Sequence, residues 1–346
     1  MSQTSDAERV QALDIERAEN LLSNAEPLVT HMYTADPSAH VFKGKIYIYP
    51  SHDVENEHPT DDEGSHFAME DYHVFSIEKV GSKVIDHGIA LHVKDIAWAE
   101  KQMWAPDAAE KGGKYYLYFP ARDYDGIFRI GVAVSDEPSG PFIAEPNAIK
   151  GTYSIDPAVF CDDDGKHYLY YGGIWGGQLQ QWKGNEYLGK DNYPQNGQAA
   201  IAPRMAALSN NMLELAEDPK EILITDEQGE PIKVEDTERR FFEGPWVHKY
   251  EGTYYLSYST GDTHKIVYAT SNTPYGPFKY KGVVLNPVLG WTTHHSIVEF
   301  QGQWYLFYHD CSLSGGLTHL RSMKMSPLQH NADGSITPIE PYQEKI

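Results

Sequence analysis

The chain has 346 residues, 40% of them hydrophobic and 23% charged, with a net charge of -22. That length supports a large core in one or two domains, and the negative field excludes nucleic acid and anionic membranes as partners while suiting a neutral ligand or a cation. The two cysteines, Cys161 and Cys311, lie in no CxxC spacing, which excludes a disulfide scaffold and leaves two thiols expected to be buried. No apolar run approaches membrane-spanning length and no basic-then-apolar leader precedes the first residues, so a cytoplasmic location is expected.

Residues 1–28 are acidic and rich in Ala and Leu, with Val10, Leu13, Ile15, Ala18, Leu21 and Leu22 at helical spacing. They read as an N-terminal helical arm, and residues 29–346 as one β domain. Five later segments share a frame of apolar strand, glycine turn and aromatic strand. They run over residues 36–49, 104–118, 154–171, 243–258 and 294–308, with turn glycines Gly44, Gly113, Gly165, Gly252 and Gly302. A glycine at each turn supplies the positive φ that a tight hairpin requires. Residues 130–142 echo 266–278, both ending in Gly-Pro-Phe. The repeat length fits four strands plus loops, so the fold predicted is all-β, a five-bladed β-propeller; a β-sandwich of similar hairpins is the alternative. Long insertions are expected after blades one and three, and residues 217–238 as an excursion between blades three and four.

Counting back from each turn glycine, Asp36, Asp156, Glu243, His294 and Trp104 occupy one repeat position. In a propeller that position is the head of the innermost strand, beside the central channel. Three convergent carboxylates with an aromatic wall point to glycosidic bond hydrolysis. One carboxylic acid protonates the leaving oxygen and one carboxylate activates water or attacks the sugar, while a third raises the acid's pKa by repulsion. Trp104 and Trp175 are candidate walls for a sugar ring. Asp162-Asp163-Asp164-Gly165 lacks calcium-loop spacing and reads as a hairpin turn.

The ordered words Tyr33-Thr34-Ala35-Asp36-Pro37-Ser38, Trp104-Ala105-Pro106-Asp107, Ser154-Ile155-Asp156-Pro157, Phe242-Glu243-Gly244-Pro245 and His294-His295-Ser296 resemble glycoside hydrolase family 43. The resemblance spans about residues 30–342. It implies an inverting hydrolase of pentose-containing glycosides, releasing xylose, arabinose or both from xylo-oligosaccharides or arabinoxylan fragments; exo action is expected from the long insertions after blades one and three, which would close one end of the channel into a pocket. By motif, Asp36 would be the general base, Glu243 the general acid, and Asp156 the residue that orients and tunes the acid. Arg321 resembles a last-blade arginine that reaches a substrate hydroxyl. The family also implies calcium in the central channel, contacted by His294, with His295 pointing elsewhere. Larger family members carry a C-terminal β-sandwich that shapes the pocket. The chain ends soon after the fifth blade, so either closure is expected from its own loops or from a neighbouring subunit in a homo-oligomer, or the substrate differs. Two other readings are a non-catalytic carbohydrate-binding propeller and a retaining fructosidase on a related scaffold. The latter is disfavoured because Ala35-Asp36-Pro37 and Ile155-Asp156-Pro157 replace its Asn-Asp-Pro and Arg-Asp-Pro words.

Overall fold

The computed structural model describes residues 6–290 and 293–345. Five antiparallel sheets are arranged around a central axis, each built outward from its first strand. Blade one comprises Tyr33–Phe42, Lys45–Asp53, Asp71–Ile77 and Ile85–His92 in sequential order. Blade two runs Asp107–Lys111, Lys114–Asp123, Phe128–Ser135 and Ile143–Ala144, with Ala99–Lys101 added alongside the second strand. Blade three is Ala158–Cys161, His167–Tyr171, Arg204–Ala207 and Lys220–Glu221. Blade four is Glu243–Tyr250, Thr253–Ser259, Ile266–Ser271 and Phe278–Leu285, and blade five is His295–Phe300, Gln303–Asp310 and Ser322–Leu328.

The turn chemistry follows the sequence. Lys43-Gly44, Gly112-Gly113, Glu251-Gly252 and Gln301-Gly302 each place two consecutive residues at positive φ. That is the two-residue turn whose twist matches antiparallel strands. Blade three differs: Asp162 to Lys166 forms a longer loop closed by Asp162 N–H to Lys166 O, and Lys249 and Tyr254 bind its Asp162. Alternation along the aromatic strands buries Tyr49, Tyr118, Tyr170, Tyr258 and Tyr308, one per blade, between sheets.

Polar links tie the inner strands into a ring. The Asp107 carboxylate accepts from Ser38 Oγ, lies 2.5 Å from His40 Nε2, and accepts from Val159 N–H at 2.5 Å. Ser296 Oγ donates to Pro37 O and accepts from Ala39 N–H, joining blade five to blade one. Near the two ends of the described chain, Leu21–Ser23 pairs antiparallel with Tyr342–Glu344.

Some details depart from the expectations. Residues 6–20 form a helix, but Leu13 and Ile15 are exposed while Asp14 is buried, accepting from Gly290 N–H at 2.9 Å. Gly316 packs so close to the backbone of Ile15 that a Cβ there would clash, so a polar bond and a small residue dock this helix. Cys161 is exposed and only Cys311 is buried, because Cys161 ends its strand beside the exposed hairpin loop. The long insertions lie within blades one and three, between second and third strands, at residues 54–70 and 172–203. Residues 217–238 are not a free excursion. Lys220–Glu221 is the outer strand of blade three, and Ile224–Thr225 pairs in parallel with the outer strand of blade four.

Candidate active site

The first strands do not run straight into the channel. Pairing shifts between Ala35 and Ser38 in blade one, and between Glu243 and Trp246 in blade four. At these bulges Asp36 adopts φ 51° and Gly244 φ 64°, and Asp156 adopts φ 57° at the matching place in blade three. A left-handed backbone costs a non-glycine residue on the order of 1–3 kcal/mol. The bulges re-aim the heads of the strands, and Asp is among the residues that tolerate this region best. The following Pro37 and Pro157 donate no ladder hydrogen bond where pairing is already broken.

The three carboxylates line one pocket of about 540 Å³ together with Trp104, Trp175, His294 and Arg321, so all seven residues singled out in the sequence share one site. Its walls come from the two insertions. Residues 61–69 contribute Asp61, Asp62, Gly64, Phe67 and Met69, and residues 174–177 contribute Trp175 and two glycines. The insertions touch: a Cβ on Gly176 would lie 3.0 Å from Glu63 O and 3.1 Å from the Trp104 ring. Trp104 donates from Nε1 to Phe67 O at 2.8 Å, fixing the indole against the blade-one insertion, and Trp175 packs on Tyr193 at 4.7 Å between ring centroids.

Asp36 is buried and heavily engaged. Ser51 Oγ donates to Oδ2 at 2.5 Å, Arg321 to Oδ1 at 3.2 Å, and the Asp36 backbone N–H donates to His309 Nδ1 at 2.8 Å. Burial alone would raise its pKa, but Arg321, His309, His294 and Ser51 together outweigh it and hold the carboxyl below its usual range. Glu243 sits under the opposite balance. Burial and the charge of Asp36 push it up to about 8, against a smaller opposing pull from Arg321. Asp156 is also raised well above the ordinary range, by burial and then by Glu243 and Asp36, while Gly244 N–H donates to its Oδ2 at 2.9 Å. At neutral pH Glu243 therefore keeps its proton, while Asp36 is held ionised.

Arg321 is itself clamped. Asp53 accepts from its Nε at 2.8 Å and from its terminal nitrogen at 2.7 Å, and also from the Arg321 backbone N–H at 2.8 Å. Phe67 covers the guanidinium, 4.9 Å from its ring centroid. The sequence reading missed Asp53, Ser51, His309 and Phe67. A usable signal existed for two of them: Ser51 and Asp53 alternate on one face where an aromatic strand turns polar. His309 and Phe67 carry no such mark.

His294 lies with Nδ1 3.8 Å from both Asp36 Oδ1 and Asp156 Oδ2, and burial lowers its pKa, which leaves the ring neutral. A neutral imidazole beside carboxylates suits a cation. Among the described residues, however, His294 belongs to no group of three His, Cys, Asp or Glu donors close enough to enclose one. A cation held there would have the His294 imidazole as its protein contact, with water to complete its shell. His295 points away, its Nε2 2.5 Å from Ser257 Oγ.

The comparisons with known proteins agree with this geometry. The model of "Glycosyl hydrolases family 43" matches residues 86–336. Xylosidase/arabinosidase 43A of Humicola insolens is 59% identical over 91% of this chain and 99% of its own length. A xylosidase/arabinosidase of Bacteroides ovatus is 56% identical over 92% and 98%. Among solved structures, a β-xylosidase/α-arabinofuranosidase from a compost microbial metagenome, complexed with xylotriose in a calcium-free form, superposes with a TM-score of 0.91. It is 64% identical, covering 94% of this chain and 100% of its own. A family 43 enzyme of Xanthomonas citri complexed with xylotriose gives 0.89 at 59% identity, over 96% and 97%. With five blades, in-register carboxylates and near full-length relatives all in agreement, the chain belongs to glycosyl hydrolase family 43.

Proposed function

We propose that this glycosidase is an inverting, exo-acting β-xylosidase/α-L-arabinofuranosidase, with Asp36 as general base and Glu243 as general acid. The observation that carries the assignment is the separation of their proton affinities. Asp36 is kept ionised by Arg321 and its neighbours, while Glu243 is raised to about 8. Such a pair holds one carboxylate ready to take a proton from water and one acid ready to protonate the leaving oxygen. In an inverting reaction the water attacks the anomeric carbon from the face opposite the departing glycoside, Asp36 takes its proton, and Glu243 gives its own to the leaving group. Asp156 binds the backbone N–H next to the acid and so aims Glu243, while burial and the charge of Asp36 keep Glu243 protonated.

The closed walls at Phe67, Trp104 and Trp175 support recognition of a chain end, with the terminal pentose seated on Trp104. The two activities in the name of the Humicola insolens relative and the xylotriose bound by the compost enzyme support pentosides as substrates. Calcium is the cation proposed for His294, supplying positive charge beside the base and acid while remaining mostly hydrated. Proton NMR of xylobiose hydrolysis tests the reading: the first new reducing sugar from the non-reducing unit is α-xylose. Initial release of β-xylose at that unit contradicts inversion and the role given to Asp36.

A further inference from the structure

Blade one carries a second cluster of donors that takes no part in lining the catalytic pocket. His52 lies near the end of Lys45–Asp53, and Asp71 and His73 begin the next strand, two residues apart and therefore on one face. That face turns toward blade five: His73 stacks on Phe75, whose ring is packed with Phe300, Phe307 and Met323. We propose that His52, Asp71 and His73 form a binding site for a transition-metal dication of the Zn²⁺ class, separate from the cation contact at His294.

The geometry carries the assignment. One donor atom from each of the three residues lies within 4.8 Å of the others. Donors on a tetrahedral ion at bond lengths of about 2.0–2.2 Å stand roughly 3.3–3.6 Å apart, so small rotations of partly exposed side chains close the set. His52 Nδ1 and Asp71 Oδ1 already sit 2.7 Å apart, and the ion replaces the proton they share. The His52 and His73 rings meet edge to face at 5.2 Å between centroids.

A supporting shell is present as well. Asp86 Oδ1 lies 3.0 Å from His73 Nδ1, and its Oδ2 lies 3.0 Å from His31 Nε2. With Nδ1–H donated to Asp86, the other ring nitrogen of His73 is a lone-pair donor. Carboxylate–histidine pairs orient metal-bound imidazoles in this way. Two imidazoles and one carboxylate favour Zn²⁺, Co²⁺ or Ni²⁺ over Ca²⁺, which prefers an all-oxygen shell. The three residues are partly exposed, which leaves a route for the ion from solvent. The residue after His52 is Asp53, the clamp on Arg321, so the ion pins the strand end that holds the catalytic arginine.

The test is equilibrium dialysis of the tag-free, chelator-treated full chain against ZnCl₂ in excess CaCl₂, with bound metal counted by mass spectrometry. One zinc per chain is expected in the wild type and in His294→Ala. His52→Asn and His73→Gln each lose it, and Asp86→Asn, which keeps all three ligands, binds roughly 10–100-fold more weakly. Near-ultraviolet circular dichroism establishes that each variant is folded. A wild type without stoichiometric zinc overturns the proposal. So does zinc retained by folded His73→Gln, or zinc lost by His294→Ala alone.

Discussion

Replacing the proposed acid should stabilise the enzyme that it disables. Glu243 has an ordinary pKa of 4.5 and is raised to about 8 in the folded protein by burial and the Asp36 charge. Between those values the folded state holds a proton that the unfolded state has released, so stability falls as pH rises from about 4.5 toward 8 and is level above that. Each unit corresponds to about 1.4 kcal/mol, so at pH 7 the carboxyl costs the fold about 3 kcal/mol. Glutamine has nearly the same shape and no proton to lose. Glu243→Gln should therefore equal wild type in stability near pH 4.5 and exceed it by about 3 kcal/mol at pH 7. Urea unfolding followed by tryptophan fluorescence at several pH values between 4.5 and 8.5 measures the difference. On a xyloside with a poor leaving group, the same variant should lose roughly 10²–10⁴-fold in kcat. A stability difference that does not change with pH, or a variant that becomes relatively weaker at higher pH, refutes the raised pKa of Glu243.

Two further outcomes follow from the same contacts. Arg321→Lys cannot keep both the two-point contact with Asp53 and the contact with Asp36. Asp36 then loses part of the pull that lowers its pKa, so the acid limb of the kcat/KM profile moves to higher pH, as steady-state kinetics across pH 3–7 will show. If calcium sits at His294, chelation lowers wild-type activity and added CaCl₂ restores it, whereas His294→Ala responds to neither; an unchanged calcium response in that variant assigns the ion elsewhere.

The chain's repeats announced the architecture. Strand alternation and glycine turns are local properties, and their fivefold recurrence left few ways to bury five aromatic strand sets. Repeat position also marked Asp36, Asp156, Glu243, Trp104 and His294 as neighbours, because a propeller brings equivalent positions to one axis. Proton affinities were beyond its reach. Asp36 and Asp156 sit in nearly the same local word, Asp-Pro, yet one is lowered and the other raised. The difference comes from Arg321, His309, His294 and Ser51 around Asp36 and from the neighbouring carboxylates around Asp156; Arg321 lies 285 residues from Asp36 and is held there by Asp53. Pocket closure was likewise decided in three dimensions, by contact between insertions from blades one and three across Gly176 and Trp104. Local sequence determined strands, turns and register, since those depend on neighbouring residues. The division of labour among identical carboxyl groups depended on burial and on charges from distant segments, which only the closed ring of blades brings together.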